Sequence, residues 1–193
     1  MMPLISLLSL CFAIAFMTNA WDYPIYLLVT VGSVFLFNKK RQGWNQSLFS
    51  CLIIGGLLVF GSLIFSLPFH LHFKNIAKGI GLVDFHSPAW MLLVLWGLPL
   101  FTTVVFLILL AKRLKLKIKN FPKQNVIDLF VFVLLTVGWL LIIAPEIIHV
   151  KDIYIHSHQR ANTMFKFTYQ AFIMSSLATG YTVAKVLTTI KRK

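Results

Sequence analysis

The chain has 193 residues, 59% of them hydrophobic and only 12% charged, with a formal net charge of +13 at pH 7. Its mean hydropathy of +0.84 excludes an ordinary soluble domain: a core of this size cannot hide so much apolar surface, whereas a bilayer removes the need to. The net charge suits nucleic acid, but the basic residues form short clusters after apolar runs and no contiguous basic face, so no nucleic-acid partner is expected.

The first apolar run, Leu4 to Met17, is about fourteen residues, short for a span at 1.5 Å rise per residue. Thr18 and Ala20 supply the small residues of a signal-peptide cleavage site, but no Lys or Arg precedes the run. A truncated first helix is the better reading, with Met1 not the natural beginning. Five clearer spans follow, near Tyr26–Phe37, Leu48–Leu67, Trp90–Ala111, Ile127–Ala144 and Phe167–Ile190. Gly55, Gly56 and Gly61 in the third allow close helix packing. Cys11 and Cys51 both lie inside apolar runs, so two unpaired thiols are expected.

The expected fold is all-α: a single polytopic transmembrane domain over residues 1–193, with about six helices. Lys39–Arg41, Lys112–Lys123 and Lys191–Lys193 then lie on one side, which the positive-inside rule assigns as cytoplasmic along with both termini. Loops near 18–24, 68–89 and 145–166 face the other side of a cell membrane. They hold all six histidines and four of the five acids; only Asp128 is cytoplasmic. The chemistry is expected outside. The Asn45-Gln46-Ser47 sequon falls on the cytoplasmic side and is discounted as a glycosylation site. Lys185, the one charge well inside a span, is expected to snorkel toward the cytoplasmic end. A transporter reading is disfavoured because no acid or histidine is expected buried along the spans.

The densest polar stretch is Pro145–Phe172. Asn162 or Thr163 suits the N-cap of the last helix. Arg160 then lies just before the helix start, Lys166 in its first turn, and Gln170 on the face of Lys166. A helix N-terminus with an arginine fork and a lysine is a receptor for phosphate or pyrophosphate; the plainer reading anchors the same residues at headgroups or pairs them with Glu146 and Asp152. Those two acids suit a divalent metal such as Mg or Mn, a proton-accepting role, or salt bridges. Asp152, mid-loop, is the better catalytic candidate, since Glu146 follows the helix-ending Pro145. His70-x-His72 and His156-x-His158 hint at zinc, but the spacing lacks a third ligand of known position, and no metal site is assigned. In the first loop Trp21 suits the interface belt. Asp22 either caps the second helix or faces the cavity of Arg160.

These outer motifs carry a family resemblance. Asn19-x-Trp21-Asp22-x-Pro24, then Pro68-Phe69 with Gly79-Ile80-Gly81-Leu82-Val83, then Pro145-Glu146, Asp152, Arg160-Ala-Asn162-Thr163-Met-Phe165-Lys166 and Gln170-Ala-Phe172 occur in order. Together they resemble the YYY family of multi-pass membrane proteins, the domain-of-unknown-function (DUF) 2298 group, over nearly the whole chain. That family is similar to GT-C membrane glycosyltransferases, which use polyprenyl-phosphate-linked sugar donors and work away from the cytoplasm.

The resemblance implies that Arg160 and Lys166 hold the donor phosphate. Asn162, Thr163, Gln170, Trp21 and Asp22 complete the substrate-binding candidates, and Asp152 or Glu146 serves metal or acceptor as the catalytic candidates. Membrane lipid and the polyprenyl-phosphate donor are the implied partners. The first external loop is too short for the acid-bearing loop of GT-C enzymes, so a fragment is expected, completed by a missing N-terminal portion or a separate catalytic subunit. The expected function is sugar transfer to an extracytoplasmic acceptor. A non-catalytic lipid-phosphate-binding or assembly module is the alternative.

Overall fold

The computed structural model describes residues 2–74, 77, 79–114, 125–151 and 158–190, with backbone only at 113 and 114. Six helices and two short strands follow in the order α1 (Met2–Thr18), α2 (Asp22–Arg41), α3 (Trp44–His72), β1 (Ile80–Leu82), α4 (Ala89–Leu114), α5 (Val126–Ile147), β2 (Ile148–Val150) and α6 (Ala161–Ile190). Three of the helices, α3, α4 and α5, are long and apolar enough to cross a membrane, and α1 is a shorter apolar helix. The all-α membrane architecture expected from composition is the one observed. Among the described residues a two-stranded antiparallel ribbon, β1–β2, is added to it.

Helices overrun the expected spans, and the loops at 68–89 and 145–166 are correspondingly shorter. α5 continues through Pro145 to Ile147, so Pro145 does not end it. A proline this close to the end removes one late intrahelical bond, and the Ile148 N–H closes the terminus on the Ala144 carbonyl. α3 likewise passes Pro68 and ends at His72, where the Phe73 N–H bonds to the Phe69 carbonyl at 2.9 Å.

The chain divides into two compact units, Met1–Asn75 and Ile76–Lys193. In the first, α1 and α2 both pack on α3. Small residues set the α1–α3 approach: a Cβ on Gly61 would stand 2.5 Å from Ser9 Oγ, a contact only glycine permits. Tyr23 and Ser62 share a hydroxyl–hydroxyl hydrogen bond of 3.0 Å, and Phe12 and Phe16 meet the Tyr23 ring edge-on. Lys39, Lys40 and Arg41 occupy the last turn of α2, where cations complement the helix dipole.

In the second unit α6 packs on α5 and α4. Its buried face runs Thr163, Phe167, Gln170, Ala171, Met174, Ser175, Ala178, Thr182, a helical period of small and polar residues. Hydroxyl and indole groups link the helices: Thr102 to Thr179 at 2.9 Å, and the Trp139 indole N–H to Thr103 at 3.1 Å. Where water is excluded such groups find partners on neighbouring helices. Phe106, Leu110, Val131, Leu135 and Ala178 form the apolar centre.

Beside that centre lies an ion pair that corrects two expectations. Asp128 is completely buried in the first turn of α5 and is paired with Lys185 of α6. The Tyr181 hydroxyl donates to the same carboxylate at 2.7 Å, and the Lys185 ammonium lies over the Phe106 and Tyr181 rings. Lys185 therefore does not snorkel to water; an acid on the neighbouring helix neutralises it. An acid is also buried among the spans after all. The spacing within each span hides this, because the two charges belong to helices far apart in sequence.

Candidate functional site

The site forms where three chain ends of the second unit meet: the start of α4, the end of α5 and the start of α6. Ser87 and Pro88 precede α4, and the Pro88 carbonyl receives the Met91 N–H of its first turn at 3.0 Å. Glu146 sits in the last turn of α5, inside the helix and not after it, and Arg160 immediately precedes α6, as the sequence predicts for the arginine. Ser87 donates to Glu146 twice, from its backbone N–H and from its hydroxyl, each at 2.8 Å. Arg160 Nη1 reaches Glu146 Oε2 at 2.6 Å, while Nη2 donates to Ser87 Oγ at 2.9 Å. The His86 ring Nδ1 donates to the Glu146 backbone carbonyl at 2.7 Å, and Gln159 donates to Asp84 at 2.8 Å.

Both charged side chains are mostly covered, at 14% exposure for Glu146 and 19% for Arg160. Three donors converge on one carboxylate, so Glu146 acts as a fixed anionic acceptor that aims the arginine fork. The carboxylate has little capacity left to take a proton from a substrate.

The ribbon follows directly on the end of α5. Val83 N–H bonds to the Ile147 carbonyl at 3.1 Å and Lys151 N–H to the Gly79 carbonyl at 2.8 Å, extending the pairing of β1 with β2 at both ends. Gly79 turns the chain into β1 at φ +118°, a conformation that only glycine adopts without strain. Thr163 pins the ribbon to α6 by accepting the Val150 N–H at 2.9 Å.

Two hollows flank the pair. A groove of about 500 Å³ runs between α4 and α5, lined by Leu92, Trp96, Leu100, Trp139 and Ile142 among others, with Glu146 at its end. A second recess, of about 250 Å³, is walled by Val83, Phe85, His158, Gln159, Arg160 and Ala161. One hollow is almost wholly apolar and suits a hydrocarbon chain; the other is smaller and also mostly apolar, with His158, Gln159 and Arg160 in its wall.

The expected residues are distributed unevenly over this arrangement. Arg160 and Glu146 are brought together. Asn162 and Thr163 are not N-caps: α6 begins at Ala161, so both fall in its first turn, and the buried Thr163 hydroxyl is committed to the ribbon. Lys166 moves for the same reason to the second turn, where it is half-buried, and Gln170 is buried at 4% exposure. Asp152 and His156 lie outside the described residues. In the first unit Trp21 stands at the N-cap of α2 without a side-chain cap bond, and Asp22 accepts the Asn19 side-chain amide at 2.8 Å. Asp22 is thus the first residue of α2, not its cap. Ser87 was missed from sequence. Its signal is a Ser-Pro pair directly before a long apolar run, the pattern of a helix start.

The family model described as "uncharacterized membrane protein (DUF2298)" matches residues 2–131 and 114–175. No curated protein and no solved structure matches the chain. The order of the outer motifs, the apolar helices and this match over most of the sequence agree: the chain belongs to the DUF2298 family of membrane proteins.

Proposed function

We propose that this membrane protein works on polyprenyl-phosphate-linked sugars as a glycosyltransferase, or as the donor-binding part of one, on the extracytoplasmic side of a cell membrane. The observation that carries the reading is the place of Arg160. It walls a recess of about 250 Å³ just before the N-terminus of α6, and its ion-pair partner Glu146 lines an apolar groove of about 500 Å³. Helix N–H groups and a guanidinium together favour a phosphate at that point. Glu146 and Ser87 hold the fork in place, which lowers the ordering cost of binding.

In the transfer step an acceptor hydroxyl oxygen forms a bond to the anomeric carbon as the bond from that carbon to the phosphate oxygen breaks. The phosphate leaves with the electron pair, and Arg160 stabilises its charge, with Lys166 nearby on α6. The acceptor proton passes to a base. Glu146 is a poor base because its oxygens are occupied by Ser87 and Arg160, so Asp152 is assigned that role. A role for Mg or Mn likewise depends on Asp152. The test is release of polyprenyl phosphate from a polyprenyl-phosphate sugar by the reconstituted protein. Arg160→Ala is expected to abolish it while leaving membrane insertion intact; unaltered release removes Arg160 from the mechanism.

The saturation of Glu146 favours a second reading, a lipid-phosphate-binding module that serves a separate catalytic subunit. It predicts the same Arg160-dependent binding with no release of product. A transporter reading draws less support, since the buried acid Asp128 is neutralised by Lys185.

A further inference from the structure

The β1–β2 ribbon is turned inside out for a surface that faces water. Directly opposed residues of an antiparallel pair share a face, and neighbours along a strand alternate. The register pairs Ile80 with Val150, Gly81 with His149 and Leu82 with Ile148. One face therefore carries Ile80, Leu82, Ile148 and Val150, and the other Gly81 and His149. The aliphatic face is the outward one: Ile80 is 65% and Leu82 74% exposed, whereas His149 is 2% exposed. The imidazole occupies the space that Gly81 leaves, since a Cβ there would stand 2.8 Å from its Cε1. Neither ring nitrogen has a hydrogen-bond partner among the described residues. In water the opposite orientation is favoured, with the imidazole hydrated and the aliphatic side chains covered.

Position in the chain says what replaces the water. β2 begins at the residue after α5 ends, and α5 is a helix long and apolar enough to cross a membrane. Val83, next after β1, bonds to the last residue of that helix, and α4, a second such helix, starts shortly after the 81%-exposed Phe85. Both strands are thereby held at the end of membrane-crossing helices, at the depth where hydrocarbon gives way to headgroups.

We propose that the ribbon is a membrane-interface strap whose outward face, with Phe85 beside it, rests in the apolar boundary of a phospholipid leaflet. Lys151, just after β2, lies on the opposite face with His149, its Cε 3.1 Å from a Cβ built on Gly81, so the outward face carries no charge of its own. The strap sets the Glu146–Arg160 pair at headgroup level, whatever reaction the site supports.

Nitroxide labels test this in the full chain, with Cys11→Ser and Cys51→Ser removing the two native thiols. Leu82→Cys and, separately, Ile80→Cys carry the label, so that a fold lost at one position leaves the other to report. Phe101→Cys, 66% exposed at the middle of α4, serves as the deep reference. In phosphatidylcholine–phosphatidylglycerol vesicles, collisions with oxygen are expected to exceed those with a water-soluble nickel chelate at both strand positions, at a shallower depth than Phe101. Collisions dominated by the chelate would put the face in water and overturn the proposal. Few collisions with either reagent would mean that protein covers the ribbon, and would overturn it equally.

Discussion

Arg160, just before α6, and Glu146, in the last turn of α5, are joined at 2.6 Å through an arginine fork that also grips Ser87, and so tie the starts of α4 and α6 to the end of α5. Removing the carboxylate charge by Glu146→Gln is expected to cost about 1.5–3 kcal/mol, the range for hydrogen bonds to charged groups. Ser87→Ala keeps the backbone N–H contact and loses the hydroxyl that donates to Glu146 and accepts from Arg160, so a loss in the same range, about 1.5–3 kcal/mol, is expected. Thermal unfolding of the purified protein in detergent checks both. No loss on Glu146→Gln would mean that the carboxylate charge is not what holds the fork.

The Asp128–Lys185 pair predicts a strong non-additivity. Asp128→Asn or Lys185→Met alone leaves one charge buried without its counter-ion, a loss of about 3–5 kcal/mol. The double variant buries no charge and is expected to recover most of that stability. Denaturant or thermal midpoints of the singles and the double measure the coupling. A double variant as unstable as the sum of the singles would show that the two charges do not neutralise each other.

Within the first unit, Gly61→Val should be disruptive where Gly56→Ala is not. A Cβ at Gly61 meets Ser9 Oγ and Cβ at 2.5 and 2.8 Å, whereas nothing lies within 4 Å of one at Gly56. Overpacking of this kind costs about 1–3 kcal/mol, and Ser9→Gly is expected to relieve part of it. Unfolding midpoints of the three variants decide the matter.

Thr163 supplies the acceptor for the Val150 amide, so Thr163→Val leaves that N–H without its partner. The expected loss is about 1–3 kcal/mol. Its local signature is faster hydrogen exchange at Val150 and in the paired strand β1, with the interior of α6 unchanged. Exchange that rises evenly along α6 instead would place Thr163 in helix stability and not in holding the ribbon.

Helix number, order and the grouping of polar residues were legible in the sequence because span length and charge placement are local signals. Arg160 at the start of α6 was legible for the same reason. Helix ends were less so: Pro145 and Pro68 read as stops, yet a proline in a last turn removes a single bond and the helix closes beyond it. Pairings across the fold left no local trace. Nothing adjacent to Asp128 announces Lys185, and nothing near Glu146 announces Ser87. The ribbon escaped notice because three-residue strands carry too little alternation to register, and His149 looked like one interfacial histidine among several.

The central proposal is a lipid phosphate seated at Arg160 with its chain in the groove between α4 and α5. The most direct measurement is photo-crosslinking of the reconstituted protein with a polyprenyl phosphate that carries a photoreactive group in the chain, followed by peptide mapping. Adducts on the groove residues Leu92, Trp96, Trp139 or Ile142 are predicted, lost on Arg160→Ala and competed away by unlabelled polyprenyl phosphate. Adducts scattered over the lipid-facing helices, or groove adducts indifferent to Arg160, would contradict it.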